Sequence, residues 1–179
     1  MKHIEYEERL LITENDYKKV IADIKKTRRN YIYSYIENVY LDNKEGYIKN
    51  NHLMLRLRTI DKEEQELTLK IRNPEGGHLE ITEPIICHPE VDKCLGKPLE
   101  EFKEIARLRT ERMELPTKDY TFVLDKNYYG DVIDYNIEVE AKSMKRANEV
   151  IRFFCNRYGI EYKKDSESKS KRAIEYFQK

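Results

Sequence analysis

The sequence predicts an α+β protein, an antiparallel β-barrel of about eight strands with helices packed on its outside. Three observations predict this fold. About eight segments have the composition of strands, and four of them alternate charged and apolar residues with the period of two that is typical of strands. Other segments repeat apolar residues at helical spacing, and these helices are available to cover one face of the sheet. Many antiparallel strands in one domain tend to close into a barrel, because closure removes the exposed edges.

The first strand runs from Ile4 to about Leu11, and a helix follows it. Thr13 is expected to cap this helix, with Asp16 three residues later as a weak capping box. The basic run at residues 25–29 suits the end of the helix, where cations complement the helix dipole. The buried stripe of the helix is predicted to comprise Tyr17, Val20, Ile21 and Ile24.

Four further strands are predicted in the next part of the chain, separated by turns rich in Asn, Asp, Gly and Pro. The strongest turn signal is residues 73–77, Asn-Pro-Glu-Gly-Gly, so the strands around it form a meander. The predicted strands are 31–42, 53–60, 66–72 and 79–86.

The remaining part begins with a predicted helical segment at residues 89–106, interrupted around residues 96–98. Ser143 is expected to cap a helix that ends at Tyr158, with Gly159 as its C-terminal stop. A basic helix at about residues 168–177 ends the chain. The last three strands are predicted at 108–115, 120–125 and 132–140.

The size and charge of the chain limit the class of protein. Its 179 residues suit a single domain, residues 1–179, with at most a small extra lobe. Lys plus Arg and Asp plus Glu both number 34, which argues against a general nucleic-acid binder. No apolar run reaches the ~20 residues of a membrane span, and no signal peptide is evident. With three cysteines and no CxxC spacing, we expect reduced thiols in the cytoplasm and no membrane partner; the oligomeric state stays open.

Charged residues on the predicted strands are sorted by sign. The alternation places acids on one face of the first and last strands, and cations on one face of two middle strands. The residues in these faces are Glu5, Glu7 and Arg9; Arg56 and Arg58; Lys70 and Arg72; and Glu138 and Glu140.

Two interpretations of these charged faces compete. In the first, the charges point to solvent, as in any half-buried sheet. In the second, they point into the barrel while the apolar faces pack against helices. The sorting by sign favours the second interpretation, because a solvated surface usually mixes charges. Carboxylates suit a hard divalent cation and guanidinium groups suit phosphate, so the pattern indicates a polyphosphate bound with its metal.

An ordered set of motifs extends over nearly the whole chain and resembles the CYTH family, the triphosphate tunnel metalloenzymes. Glu5-x-Glu7-x-Arg9 is similar to the ExExK signature of that family, and the small stand-alone CYTH proteins of Gram-positive bacteria are the most similar subgroup. The later motifs are Tyr40-x-Asp42, Leu55-Arg56-Leu57-Arg58, Leu67-Thr68-Leu69-Lys70, Thr110-x-Arg112, Leu124-Asp125, Asp134 to Glu140, and Ser168-Lys169.

This resemblance implies an eight-stranded tunnel that binds a small-molecule triphosphate, with Mg²⁺ or Mn²⁺ as cofactor. It implies that Glu5, Glu7, Glu138 and Glu140 are metal ligands and, together with Lys70, catalytic residues. It implies that the substrate-binding residues are Arg9, Arg56, Arg58, Lys70, Arg112 and Lys169. The chain departs from the family pattern at two positions: Arg9 replaces a lysine, and Asn136 stands where an acid is frequent.

Three functions remain open at the level of sequence. The first is a metal-dependent hydrolase of inorganic triphosphate, thiamine triphosphate or a nucleoside triphosphate. The second is an adenylate cyclase, and the third is a sensor that binds a polyphosphate or nucleotide without turnover. Phosphate-binding residues recognise the part that these substrates share, so the sequence does not choose among them. The membership of Glu80 and Asp125 in the site also stays open.

Overall fold

The computed structural model describes residues 1–27, 30–163 and 167–178, with the backbone alone at Glu64. Within these ranges the strands close into an eight-stranded antiparallel barrel in the order β1-β5-β4-β3-β2-β6-β7-β8. This confirms the predicted α+β barrel. The strands are β1 Lys2–Ile12, β2 Ile32–Asp42, β3 Leu53–Ile60, β4 Glu64–Arg72, β5 His78–Pro84, β6 Lys103–Pro116, β7 Tyr120–Tyr129 and β8 Val132–Ala141.

Two of the helices begin at the N-terminal caps that the sequence predicted. Asp16 N–H donates to Thr13 Oγ1 at 3.1 Å, and Arg146 N–H donates to Ser143 Oγ at 3.2 Å, so both predicted caps are confirmed. Arg28 and Arg29, part of the basic run predicted to end the first helix, lie outside the described residues. The helices are α1 Glu14–Thr27, α2 Tyr47–Asn50, α3 Pro89–Leu95, α4 Met144–Tyr158 and α5 Lys169–Phe177, with a 3₁₀ turn at Leu99–Glu101. In the described part of the chain no helix has the length and apolar character to cross a membrane.

Two elements differ from the sequence-based expectations. The predicted helix at residues 89–106 is wrong beyond the 3₁₀ turn, because β6 already begins at Lys103. The loop after β2 contains the short helix α2, which the sequence pattern did not predict. Asp42 stabilises it: its Oδ1 accepts from the N–H groups of Asn43 and Ile48, both at 2.8 Å. Because one carboxylate satisfies the free N–H groups at the start of α2, this helix forms without the apolar periodicity from which longer helices are predicted.

The chain forms two compact units. The first comprises the described residues of Met1–Ile4, Tyr35–Arg109 and Glu167–Lys179. In it Leu55, Leu69 and Ile81 are cross-strand neighbours on β3, β4 and β5, and all are buried. They form one core with residues of α2 and α3. The apolar faces of these strands are therefore covered by helices, and the opposite faces carry the charges.

The second unit comprises the described residues of Glu5–Ser34 and Thr110–Ser166. Its core contains Leu10 of β1, Phe122 of β7 and Val139 of β8, packed with the apolar stripes of α1 and α4. Here also the helices take the apolar faces, which confirms the second interpretation of the alternation. The expectation of a single domain over residues 1–179 stays a prediction.

We predict that Leu69→Ala lowers the free energy of unfolding by ~2–5 kcal/mol, since a fully buried leucine leaves a cavity under a helix. Urea denaturation measures this loss. Ile86→Ala is the control: Ile86 is 93% exposed, so its removal should change stability by less than ~0.5 kcal/mol. Equal losses for the two variants would contradict the packing of β4 described here.

Candidate functional site

A cation cluster, which we define as Arg56, Arg58 and Lys70 together with Glu80, lies on the inner faces of β3, β4 and β5 in the first unit. Lys70 Nζ is 2.8 Å from Glu80 Oε2, and Arg56 Nη2 is 3.9 Å from Glu80 Oε1. Lys70 and Glu80 are direct cross-strand partners. The strand register thus brings together the cations predicted from the sequence and Glu80, whose membership in the site the sequence did not decide.

The two arginines of the cluster differ in how their donors are satisfied. Arg58 Nε donates to Asn38 Oδ1 at 3.2 Å, and its Nη1 lies 3.5 Å from Glu66 Oε1. Arg56 is only 7% exposed, and its buried Nε has no acceptor among the residues that the structure describes. A buried charged donor without an acceptor is costly, so Arg56 favours an anion beside it.

Glu80 is ionised at the centre of this cluster. Burial by itself would raise the pKa of this carboxyl, but the charges of Lys70 and then Arg56 outweigh burial and lower the pKa to about 2. One carboxylate shared by two cations leaves the cluster with excess positive charge. That excess suits a multiply charged anion such as a polyphosphate.

An acid wall, which we define as Glu5, Glu7, Glu138 and Glu140, lies on the inner faces of β1 and β8 in the second unit. Glu7 is the cross-strand partner of Glu140, and Arg9 is the partner of Glu138. Arg9 Nη1 also lies 2.6 Å from Glu7 Oε1. The structure therefore assembles on two adjacent strands the four acids that the family resemblance implied as metal ligands.

Glu140 shows the excess negative charge of the acid wall. Burial raises the pKa of its carboxyl to about 7; Arg112 opposes this rise, whereas Glu5, Glu138 and Glu7 add to it. Repulsion among neighbouring carboxylates disfavours a further negative charge. A divalent cation would relieve the same repulsion.

Arg112 of β6 is buried among carboxylates. It donates from Nε to Asp125 Oδ1 at 2.9 Å and from Nη2 to Asp125 Oδ2 at 2.8 Å, and Nη2 also donates to Glu138 Oε2 at 3.0 Å. Burial opposes its charge, but Asp125 and Glu138 hold the pKa of Arg112 well above its usual range. Asp125, which the sequence left open, is thus fully buried as a direct partner of a predicted site residue.

A neutral polar layer continues the inner face beyond Asp125. Asn127 is its centre: it accepts from Thr110 Oγ1 at 2.9 Å and donates to Asn136 Oδ1 at 2.6 Å and to Asp134 Oδ1 at 2.9 Å. Asn136 is fully buried and is the cross-strand partner of Asp125. An acid at position 136 would add a buried charge next to Asp125, so the amide avoids that cost.

Lys169 is the first residue of α5 and is partly buried. It belongs to the same unit as the cation cluster. Its predicted role as a phosphate ligand stays a prediction. His88 Nδ1 lies 2.9 Å from Asp92 Oδ1 in the same unit.

Comparisons with known proteins identify the family of this chain. The CYTH domain model matches residues 3–175. The chain belongs to the CYTH family. No curated protein matches the chain at a significant level.

Solved structures share the CYTH fold at low sequence identity. A candidate adenylate cyclase from Bacillus halodurans has a TM-score of 0.81 and 23% identity, covering 96% of this chain and 97% of its own. HpAC1 from Hippeastrum, a candidate adenylyl cyclase described as having a dominant triphosphatase activity, has a TM-score of 0.73 and 21% identity, covering 98% and 96%. The PH1819 protein from Pyrococcus horikoshii has a TM-score of 0.68 and 20% identity, covering 96% and 99%.

The donor set of this CYTH protein suits a hard divalent cation. In the described part of the chain, no group of three or more His, Cys, Asp or Glu side chains is arranged to hold an ion by itself. Mg²⁺ does not require such a cage, because it usually keeps several waters and binds one or two carboxylates together with substrate phosphates. The crowded carboxylates around Glu140 therefore fit an ion that arrives with a phosphate chain.

We predict that Glu140 makes the protein less stable as the pH rises from about 5 to about 8. Because its pKa of about 7 in the folded protein exceeds its usual value, the native state binds this proton more tightly than the unfolded chain. The resulting stabilisation is present below the usual pKa and is lost as the pH rises through about 7. Thermal denaturation in EDTA should therefore show Glu140→Gln gaining stability over wild type towards high pH.

Glu149→Gln, which changes an exposed carboxyl of α4, is the matched control and should show no such pH dependence. A constant difference between wild type and Glu140→Gln over the whole pH range would mean that Glu140 titrates normally.

Proposed function

We propose that this CYTH protein is a metal-dependent hydrolase of triphosphate compounds. The observation that supports this proposal most directly is Arg56: a buried guanidinium whose Nε has no acceptor among the described residues, beside an excess of positive charge. Guanidinium groups bind phosphate oxygens in pairs of hydrogen bonds, so an anionic phosphate chain supplies the missing acceptor.

The cations have distinct roles in this proposal. Arg56 and Arg58 bind phosphate oxygens, and Lys70, held by Glu80, stabilises the charge that develops during phosphoryl transfer. Ion pairing with Glu80 keeps the ammonium group of Lys70 in place before the substrate binds. Arg9 and Lys169 are proposed as further phosphate contacts on the basis of the family resemblance.

The acid wall is proposed to bind the divalent cation. Its carboxylates would hold Mg²⁺ or Mn²⁺, and the chemistry that this ion would supply is neutralisation of phosphate charge and activation of the attacking water. The four acids would repel a free polyphosphate, whereas a polyphosphate that carries a divalent cation brings them the charge they lack. The wall therefore favours a metal-bound triphosphate over the free anion.

A panel of substrates tests the proposal. The pure protein is incubated with inorganic triphosphate, thiamine triphosphate and ATP, with Mg²⁺, Mn²⁺ or EDTA. Metal-dependent release of phosphate supports the hydrolase. Cyclic AMP from ATP would instead show the cyclase, and binding of a substrate without any product would show the sensor.

We predict that Arg56→Ala lowers kcat/KM for the best substrate by roughly 30-fold or more, because loss of one desolvated charge-assisted contact costs ~2–5 kcal/mol. Steady-state phosphate release measures this effect, and thermal denaturation checks that the variant folds. Arg72→Ala is the matched control, since Arg72 lies on the charged face of the neighbouring strand β4 but is exposed. Equal, small losses in the two variants would remove the main physical support for phosphate binding by this cluster.

A further inference from the structure

We infer that an apolar floor, which we define as Ile36, Ile60 and Leu108, closes one end of the cation cluster and requires a phosphate chain to enter with a free terminal phosphate. Compounds whose phosphate chain is substituted at both ends are then excluded, even when the chain contains three phosphates. This inference rests on the proposed function, because it specifies which triphosphate compounds the cation cluster accepts.

The apolar floor lies on the same strand faces as the cation cluster. Side chains alternate along β3, so Ile60 points to the same face as Arg58, two residues before it. Ile60 is the cross-strand partner of Ile36 on β2, just as Arg58 is the partner of Asn38. Two residues along a strand span ~7 Å, so the floor lies one such step beyond Arg58.

Leu108 of β6 continues the row on the other side of β2. The two strands are neighbours in the barrel, and Glu37 Oε1 lies 2.5 Å from Arg107 Nη1 where both side chains are partly exposed. Because paired strands alternate together, the adjacent residues Ile36 and Leu108 meet on the opposite, inner face. The three apolar side chains thus form a continuous row across β3, β2 and β6.

Burial shows that this end of the inner face is filled. Leu108 is fully buried and Ile36 is 6% exposed, although neither belongs to the cores that the helices cover. A side chain lining an open channel would stay exposed, whereas the interior of a small barrel is filled by side chains. At the other end of the cluster, the cross-strand partners Arg72 and His78 are both exposed. We therefore place the entrance of the phosphate chain at the end with Arg72.

The chemistry of the apolar floor excludes phosphate as well as its shape does. A phosphate oxygen pressed against Ile36 or Ile60 would lose water and gain no hydrogen-bond donor, which is costly for a charged group. A free terminal phosphate can stop at Arg58, whose guanidinium suits it. A substituent on that phosphate would have to occupy the space that the floor already fills.

Triphosphate methylated at one end or at both ends tests this inference. Calorimetry in EDTA, which prevents metal-dependent turnover, gives the Kd of each ligand. For wild type the doubly methylated ligand should bind ~30-fold or more weakly, and Ile36→Ala, which opens a space for the methyl group, should reduce this ratio by ~10-fold. The charges of the two ligands are the same for both proteins, so the change in the ratio isolates the effect of the floor.

Leu41→Ala is the matched control for Ile36→Ala. Leu41 also lies on β2 and is 7% exposed, but it belongs to the core under the helices. Its removal should leave the ratio of the two Kd values unchanged.

Each result of the calorimetry has a definite meaning. A wild-type ratio below ~3, or an unchanged ratio in Ile36→Ala, would overturn the inference. If the ratios are as expected but the substrate panel yields no product, the apolar floor is supported and only the proposed hydrolase fails, because the Kd values require no activity.

Thiol reactivity covers the case in which Ile36→Ala does not fold or no ligand binds in EDTA. The exposed Cys87 and Cys94 are first replaced by serine. In that background Met54→Cys, on the inner face beside Lys70, should react with a small charged methanethiosulfonate ~10-fold or more faster than Ile36→Cys. Equal rates would show that the end with Ile36 is open and would overturn the inference.

Discussion

The constraint on which this structure depends is that charges buried on the inner faces of its strands must be compensated. Removing one partner of a buried ion pair costs ~3–5 kcal/mol, so each pair is also a structural element. Lys70 with Glu80 and Arg112 with Asp125 meet this constraint in the two units. The apolar faces of the strands must be removed from water. The helices do this by burying the leucine, isoleucine and phenylalanine side chains of those faces.

Compensation is incomplete in each unit, and with opposite sign. In the cation cluster the surplus is positive and is seen at Arg56, whose Nε finds no acceptor in the described chain. In the acid wall the surplus is negative and raises the pKa of Glu140 to about 7. A phosphate anion would supply the negative charge that the cation cluster lacks, and a divalent cation would supply the positive charge that the acid wall lacks. The proposed triphosphate function thus follows from what the folded protein leaves uncompensated, more than from any single residue.

Neutral polar residues limit how much charge the interior contains. Asn136 stands beside Asp125, and its amide oxygen accepts a hydrogen bond from Asn127 without adding another buried charge. Asp42 has a comparable structural role outside the charged clusters, since its carboxylate binds the N–H groups at the start of α2. The hydrogen bonds of Asp42 thus give this residue a structural role that needs no catalytic function.

The sequence by itself determined which face of each strand is charged, because side chains alternate with a period of two whatever the strand pairs with. It therefore predicted that Leu69 packs under a helix and that Lys70 does not. Only the tertiary structure decided which charges meet. Arg112 and Asp125 lie on different strands, and a shift of the pairing by one residue would turn either side chain to the other face. Local patterns contain no information on that register, so the partners of Glu80, Asp125 and Glu138 were decided only when the strands paired in the barrel.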